Sequence, residues 1–392
     1  MAAAGPECIT SGPTWVKRFP GVPATVTLHT VIGGRKSQED RFVVCPKVAP
    51  HLENAAFFGV FDGTVGDFAS NNVKDIVVPM LRSTPEYKQL ENATDVVNHE
   101  EAVDLLKRSM RKMYHRSDEE LLRRCGENEK HYAASTSVTL LLWQDHICVG
   151  HLGDSRICLI YVTDENLKQI KGVPAVPSSD TDAQSENSNP VQQSGDEKTG
   201  VAKTGSKEGV GYVVDARFAA SGSIRTDSIP ASKVDELVEG NFVTQDHKPD
   251  QAEERARIEA AGGSVEYLHN HQNKPFIRGG DFQQRKMLGE SPMQLQYSRA
   301  FGGKDLKPFG LIGDPTVNCT KRERQFAGFV LASDGLWDVM TADVAARVSM
   351  KAWLEGKNPS EALVNAALHG SCDNITAVCV MYDTIAGERP SS

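Results

Sequence analysis

A chain of 392 residues, 39% hydrophobic and 24% charged, can bury a sizeable core as one large domain or two ordinary ones. Its net charge of −9 comes without the basic stripe that would neutralise a nucleic-acid backbone, so no nucleic-acid partner is expected. No apolar run approaches the roughly 18 residues of a membrane span, and none of the eight cysteines forms a CxxC pair, which argues against a zinc site or a disulfide framework.

Cys148, Cys158 and Cys379 sit inside apolar runs and read as small buried hydrophobes of a reducing compartment. The opening Met1–Gly5 has neither the basic nor the apolar region of a secretory signal, and Ala2 stands where myristoylation requires glycine. A cytoplasmic protein is expected, with the nucleus as the other compartment, and a monomer.

In chain order, residues 1–23 are punctuated by Gly and Pro and read as an arm. Residues 24–31 alternate and are β-branched, as a strand requires. Residues 55–61 form an apolar run that stops at Asp62-Gly63, predicting a buried strand that presents Asp62 at its end. Apolar spacing predicts helices over 73–81 and 100–124, the second with Leu105, Leu106, Met110 and Met113 on one face. Three strands follow within 138–161. Gln144-Asp145-His146 forms the first turn between them, and Gly153-Asp154-Ser155 is expected as a hairpin tip.

Composition then changes. Residues 174–211 hold almost no large apolar side chain and are expected to be a disordered insertion. A helix is predicted over 250–261, capped by Gly262-Gly263. A polar, glycine-rich stretch follows over 267–296, in which His269, His271 and Arg278 could meet a substrate but fit solvated loop positions better. A buried strand over 329–332 ends at Ser333-Asp334-Gly335. Helices over 341–354 and 359–368 precede a last strand over 375–382. Short connections favour antiparallel pairing. The expected fold is α+β: a central sandwich of two mainly antiparallel sheets flanked by helices on both sides (αββα), one domain over 24–383 with a short tail over 384–392.

One pattern recurs along the chain: an aspartate at the edge of an apolar segment, followed by a small residue. It occurs at Asp62-Gly63, Asp154-Ser155, Asp334-Gly335 and Asp373-Asn374, and Glu39-Asp40 adds a carboxylate pair. Any one Asp-Gly is more often a turn. As a set, carboxylates gathered at strand ends repel each other unless a hard divalent cation joins them, and all-oxygen ligation points to Mg2+ or Mn2+.

Seven blocks in order resemble the PPM family, the type 2C metal-dependent protein phosphatases. They are Arg35-Lys36-Ser37-Gln38-Glu39-Asp40; Phe58-Gly59-Val60-Phe61-Asp62-Gly63; Ser135-Thr136-Ser137 with Gly150 to Arg156; Thr244 to Pro249 with Glu254, Arg257-Ile258 and Ala261-Gly262-Gly263; Ser298-Arg299-Ala300-Phe301-Gly302; Leu331 to Met340; and Asp373-Asn374-Ile375-Thr376.

The resemblance implies hydrolysis of phosphoserine and phosphothreonine in protein substrates. It implies that Asp62 bridges two cations and the Gly63 carbonyl binds one of them. Asp334 and Asp373 then bind the other, and Glu39 and Asp40 hold coordinated waters. Asp154 and Asp338 match positions that hold a weaker third cation in some relatives, and Arg35 is implied as the phosphate clamp. Two cations roughly 4 Å apart lower the pKa of a bridging water towards roughly 7 and make it the nucleophile. Two positions depart from the family: Thr64 stands where a histidine is usual and Gly303 where an aspartate is usual. They define the alternative, a phosphatase-like binding or regulatory module with little turnover.

Overall fold

Successive strand residues point to opposite faces, and here both faces of most strands are apolar. That is why residues 55–61 form an unbroken hydrophobic run. In the computed structural model, which describes residues 8–12, 14–18, 24–49, 52, 54–92, 98–162, 224–225, 229–269, 273–322 and 325–385, these strands form two stacked antiparallel sheets.

The strands in chain order begin with β1 (Thr14–Arg18), β2 (Ala24–Val31), β3 (Arg41–Cys45), β4 (Ala55–Phe61) and the short β5 (Gly63–Thr64). Helices α1 (Phe68–Ser83), α2 (Pro85–Glu91) and α3 (His99–Glu127) come next. Then follow β6 (Ala134–Ser135), β7 (Ser137–Trp143), β8 (His146–Leu152), β9 (Arg156–Val162), β10 (Ile224–Arg225) and β11 (Val238–Phe242). After helix α4 (Ala252–Ala260) come β12 (Ser264–Leu268), β13 (Lys274–Arg278), helix α5 (Phe282–Met287), β14 (Gln294–Leu295), β15 (Phe301–Gly302), β16 (Thr316–Lys321) and β17 (Phe326–Ala332). The chain closes with α6 (Asp334–Trp337), α7 (Ala342–Leu354), α8 (Pro359–Ala367), β18 (Ile375–Tyr382) and β19 (Thr384–Ile385), which pairs with β10.

One sheet runs β1-β2-β18-β17-β9-β11 and the other β16-β8-β7-β4-β3. Alternation sets the layers. Phe42, Val44, Phe58 and Val60 face inward and meet Leu28, Phe329, Leu331 and Val378 of the other sheet. Val43, Phe57 and Leu141 face outward beneath Val77, Leu105, Met110 and Tyr114 of α1 and α3. On the opposite side Ile160, Val330 and Cys379 lie against Ala345 and Met350 of α7 and Leu363 of α8. The αββα expectation holds.

Four local expectations are corrected. Residues 1–23 are not merely an arm. Thr14–Arg18 pairs antiparallel with β2, and Ile9 exchanges both backbone hydrogen bonds with Val44 (2.8 and 2.9 Å), so this segment borders both sheets. Gly153-Asp154-Ser155 is not a hairpin tip, because β8 and β9 belong to different sheets and the chain crosses between them there. Residues 267–296 are not simply loop: β12, β13 and β14 make a small antiparallel sheet, with α5 between the last two strands. α1 also begins at Phe68, before the predicted 73, because polar Ser70, Asn71 and Asn72 hide the apolar period in its first turn. The insertion over 174–211 lies outside the described residues. Among the described residues no helix is long and apolar enough to cross a membrane.

Candidate active site

Antiparallel pairing brings distant carboxylates to one end of the sandwich. Arg41 faces Phe61, so Asp40 and Asp62 are neighbours. Ala332 faces both Ala377 and Arg156, so the segments carrying Asp334, Asp373 and Asp154 meet there. Ile375 faces Val31, which brings the Arg35–Asp40 loop to Asp373. A cavity of about 560 Å³ opens at this end, with Arg35, Glu39, Asp62, Gly63, Asp154, Asp334 and Asp373 on its walls.

The glycine of each Asp-Gly pair has a spatial reason. A Cβ on Gly63 would come within 2.7 Å of the Glu39 carbonyl and the Ser70 hydroxyl, and one on Gly335 within 2.0 Å of the Asn374 carbonyl. Close backbone approach, not a turn conformation, requires glycine at both positions.

Polar side chains fix the frame. Ser333 Oγ donates to Asp40 Oδ2 (2.7 Å), and its oxygen accepts from the Thr376 N–H (3.1 Å). Asn374 Oδ1 accepts from the Glu39 N–H (2.8 Å), while its amide donates to the carbonyls of Ile32 (2.8 Å) and Ser37 (3.0 Å). Glu39 Oε2 takes the Gly66 N–H (3.0 Å). Asp40 is buried behind the cavity wall, and its Oδ1 has no hydrogen-bond partner.

Electrostatics marks the same cluster. Burial raises the Asp62 carboxyl well above its ordinary range, and repulsion from Asp334, Asp40, Asp154 and Asp373 adds to it. Burial, then Asp154, Asp338 and Asp373, does the same to Asp334. Burial pushes Asp40 up to about 6. Two basic groups offset part of the charge: Arg35 pairs with Asp373 at 2.5 Å and Lys248 with Asp154 at 2.5 Å.

The block from Thr244 to Pro249 clamps the crossing that carries Asp154. Asp246 holds Arg156 by two bonds (2.6 and 2.7 Å). His247 Nδ1 accepts the Gly153 N–H (3.1 Å). Burial, helped by the stacked His151, lowers His247 to about 2, so the ring is neutral and the lone pair stays available.

The remaining candidates fall elsewhere. Asp338 is exposed, lies off the cavity wall and pairs with Lys274 at 2.9 Å. Arg278 bonds Gln294 (2.8 Å) and stacks over Phe282, serving the small sheet rather than the cavity. His269 is exposed, and His271 lies outside the described residues. Gly303 is also off the cavity wall. Its φ is +61°, and a Cβ there would press on the Leu311 side chain at 2.5 Å, so an aspartate would be strained and Leu311 would have to shift.

Sequence reasoning missed Tyr297, whose hydroxyl lies 2.6 Å from Thr64 Oγ1 on the cavity wall. The available signal was its place directly before the Ser298-Arg299-Ala300-Phe301 block. Burial, then Asp62, raises the Tyr297 phenol well above its usual range.

Among the described residues no group of three or more His, Cys, Asp or Glu side chains stands close enough, as placed, to hold an ion. The donor chemistry nevertheless fits divalent cations. The donors are all oxygen, they are desolvated and repel one another, and a buried carboxylate oxygen of Asp40 is orphaned.

The protein phosphatase 2C family model matches residues 24–169 and 232–375. A serine-threonine phosphatase 2C from Toxoplasma gondii is 40% identical, with a TM-score of 0.75 over 96% of this chain and 99% of that one. A probable protein phosphatase 2C 59 from Oryza sativa is 35% identical over 38% of this chain and 41% of its own length. A probable protein phosphatase 2C 11 from Arabidopsis thaliana is 26% identical over 84% of this chain and 58% of its own length. The chain thus spans well under half of some plant relatives, from 27% to 41% of their length.

Proposed function

The chain belongs to the protein phosphatase 2C family, which is metal-dependent, and on that premise we propose that it hydrolyses phosphoserine and phosphothreonine in protein substrates. The observation that carries this reading is the convergence of Asp62, Asp334, Asp373 and Arg35 on one cavity.

Two cations, Mg2+ or Mn2+, would be held by Asp62 with the Gly63 carbonyl and by Asp334 with Asp373. Glu39 and Asp40 would take coordinated water, and Asp154 a weaker third cation in exchange for Lys248. Asp338 would join that third site only by leaving Lys274. When bound, the cations supply Lewis-acid activation of water and offset phosphoryl charge.

The chain's own residues do the rest. Ser333 and Asn374 hold Asp40 and the Glu39 backbone in register. The Arg35 side chain is 61% exposed while it touches Asp373, so it can turn from that carboxylate to a substrate phosphate. Thr64 cannot protonate a leaving group near neutral pH, and its hydroxyl is engaged by Tyr297.

The alternative, a binding module with little turnover, is not favoured, because Asp62, Asp334 and Asp373 all remain on the cavity. The test is release of inorganic phosphate from a phosphothreonine peptide with and without Mn2+. We expect metal-dependent turnover, and Arg35→Ala raising KM more than it lowers kcat. No release with either Mn2+ or Mg2+ would remove this reading.

A further inference from the structure

Val65 has a φ of +62°. A β-branched side chain in the left-handed region is a genuine outlier, because its Cβ substituents crowd the backbone. Its surroundings impose that conformation. Gly63 and Thr64 are fixed by strand pairing to Ser135 and Ala134. The Gly66 N–H is held by Glu39 (3.0 Å), and α1 begins at Phe68.

The side chain gains little within the protein in exchange for this strain, since Val65 is 58% exposed. Glycine or asparagine would take the same backbone without the penalty. Val65 nonetheless lines the cavity that carries the carboxylates, together with Phe276, Leu295 and Tyr297 of the β12–β14 region. The Thr64–Tyr297 hydrogen bond joins the strained turn to that region, where Phe276, Leu295 and Tyr297 are buried, so of these four side chains Val65 is the one exposed beside the acidic floor.

We propose that Val65 is a specificity-determining residue. Its exposed side chain, on the wall of the carboxylate cavity, receives an apolar side chain flanking the phosphorylated residue of the substrate. The inference rests on the phosphatase reading above and adds to it the class of peptide preferred. The strain is offset in the complex, where Val65 loses its exposure to water.

The test compares two phosphothreonine peptides identical except at the flanking positions, Leu on both sides against Ser on both sides, in Mn2+. The wild type should favour the Leu peptide in kcat/KM by roughly tenfold, the scale of discrimination an apolar contact supplies. Val65→Gly and Val65→Asn should both reduce that ratio to about two- to threefold while raising the thermal midpoint by a few degrees through relief of strain. Equal wild-type rates on the two peptides, or an unchanged ratio in variants with a raised midpoint, would overturn the role of Val65 but leave the phosphatase reading intact. No turnover of either peptide by the wild type would overturn both.

Discussion

Asp62 shows how much a single residue here depends on its neighbours. Four other carboxylates raise its pKa beyond what burial does, so the charge is unfavourable in the metal-free protein and useful only with a cation present. Asp62→Asn should therefore abolish Mn2+-dependent turnover and the stabilisation by Mn2+, yet leave the metal-free protein as stable as the wild type or more so. Phosphate release and thermal unfolding with and without Mn2+ check both halves. Retained turnover would show that the metal assignment is wrong. Thr64 belongs at the same scale. Its hydroxyl is 2.6 Å from that of Tyr297, which is buried. Thr64→Val should strand the Tyr297 hydroxyl at a cost of about 1–3 kcal/mol, whereas Tyr297→Phe leaves only a partly exposed threonine hydroxyl and should cost less. Denaturant unfolding of both variants measures the asymmetry, and equal costs would contradict it. The carboxylates were legible in the sequence because each follows an apolar run. The tyrosine was not, because its role comes from a contact 233 residues away.

Among the elements, those with strong periodicity matched expectation: β2 and β18 run over the predicted residues, and α3 over nearly the same span. The misses are elements whose pairing is non-local. β1 carries no clean alternation, and it exists because β2 offers it an unpaired edge. The Asp154 turn resembles a hairpin tip locally, but only the sheet assignment reveals that it bridges the two layers. Removing residues 1–18 should expose the β2 edge and break the Ile9–Val44 bridge, lowering the unfolding midpoint and promoting association through the bare strand. Light scattering and thermal unfolding of the truncated chain test this, and an unchanged midpoint in a monodisperse sample would contradict it.

For the whole molecule, the carboxylate cluster links stability to pH and to metal. Asp40 has a folded-state pKa raised to about 6 from an ordinary 3.8, so the metal-free folded protein takes up a proton on folding in that interval. The resulting stabilisation is complete below the ordinary value and lost as pH rises through about 6. Asp62 and Asp334, raised further, extend the loss to higher pH. At neutral pH the ionised carboxylates therefore cost stability, which a bound cation would restore. Saturating Mn2+, at 100 times its Kd, should add about 2.7 kcal/mol above pH 7. That increment should shrink as pH falls below 6 and protons compete for the same oxygens. Thermal unfolding with and without Mn2+ from pH 5 to 8 measures it, and a pH-independent increment would argue against cation binding by these carboxylates.

The sequence by itself determined the layers and the acidic inventory. Apolar periodicity is a local consequence of which face a residue buries, and Asp62, Asp334 and Asp373 sit where apolar runs end. Tertiary structure decided what those residues meet: Arg35 against Asp373, Lys248 against Asp154, Thr64 against Tyr297, and Asp338 turned away to Lys274. It also decided that Val65 takes a backbone conformation its own side chain disfavours. Register between strands far apart in the chain sets each of these pairings, and no short-range pattern encodes them.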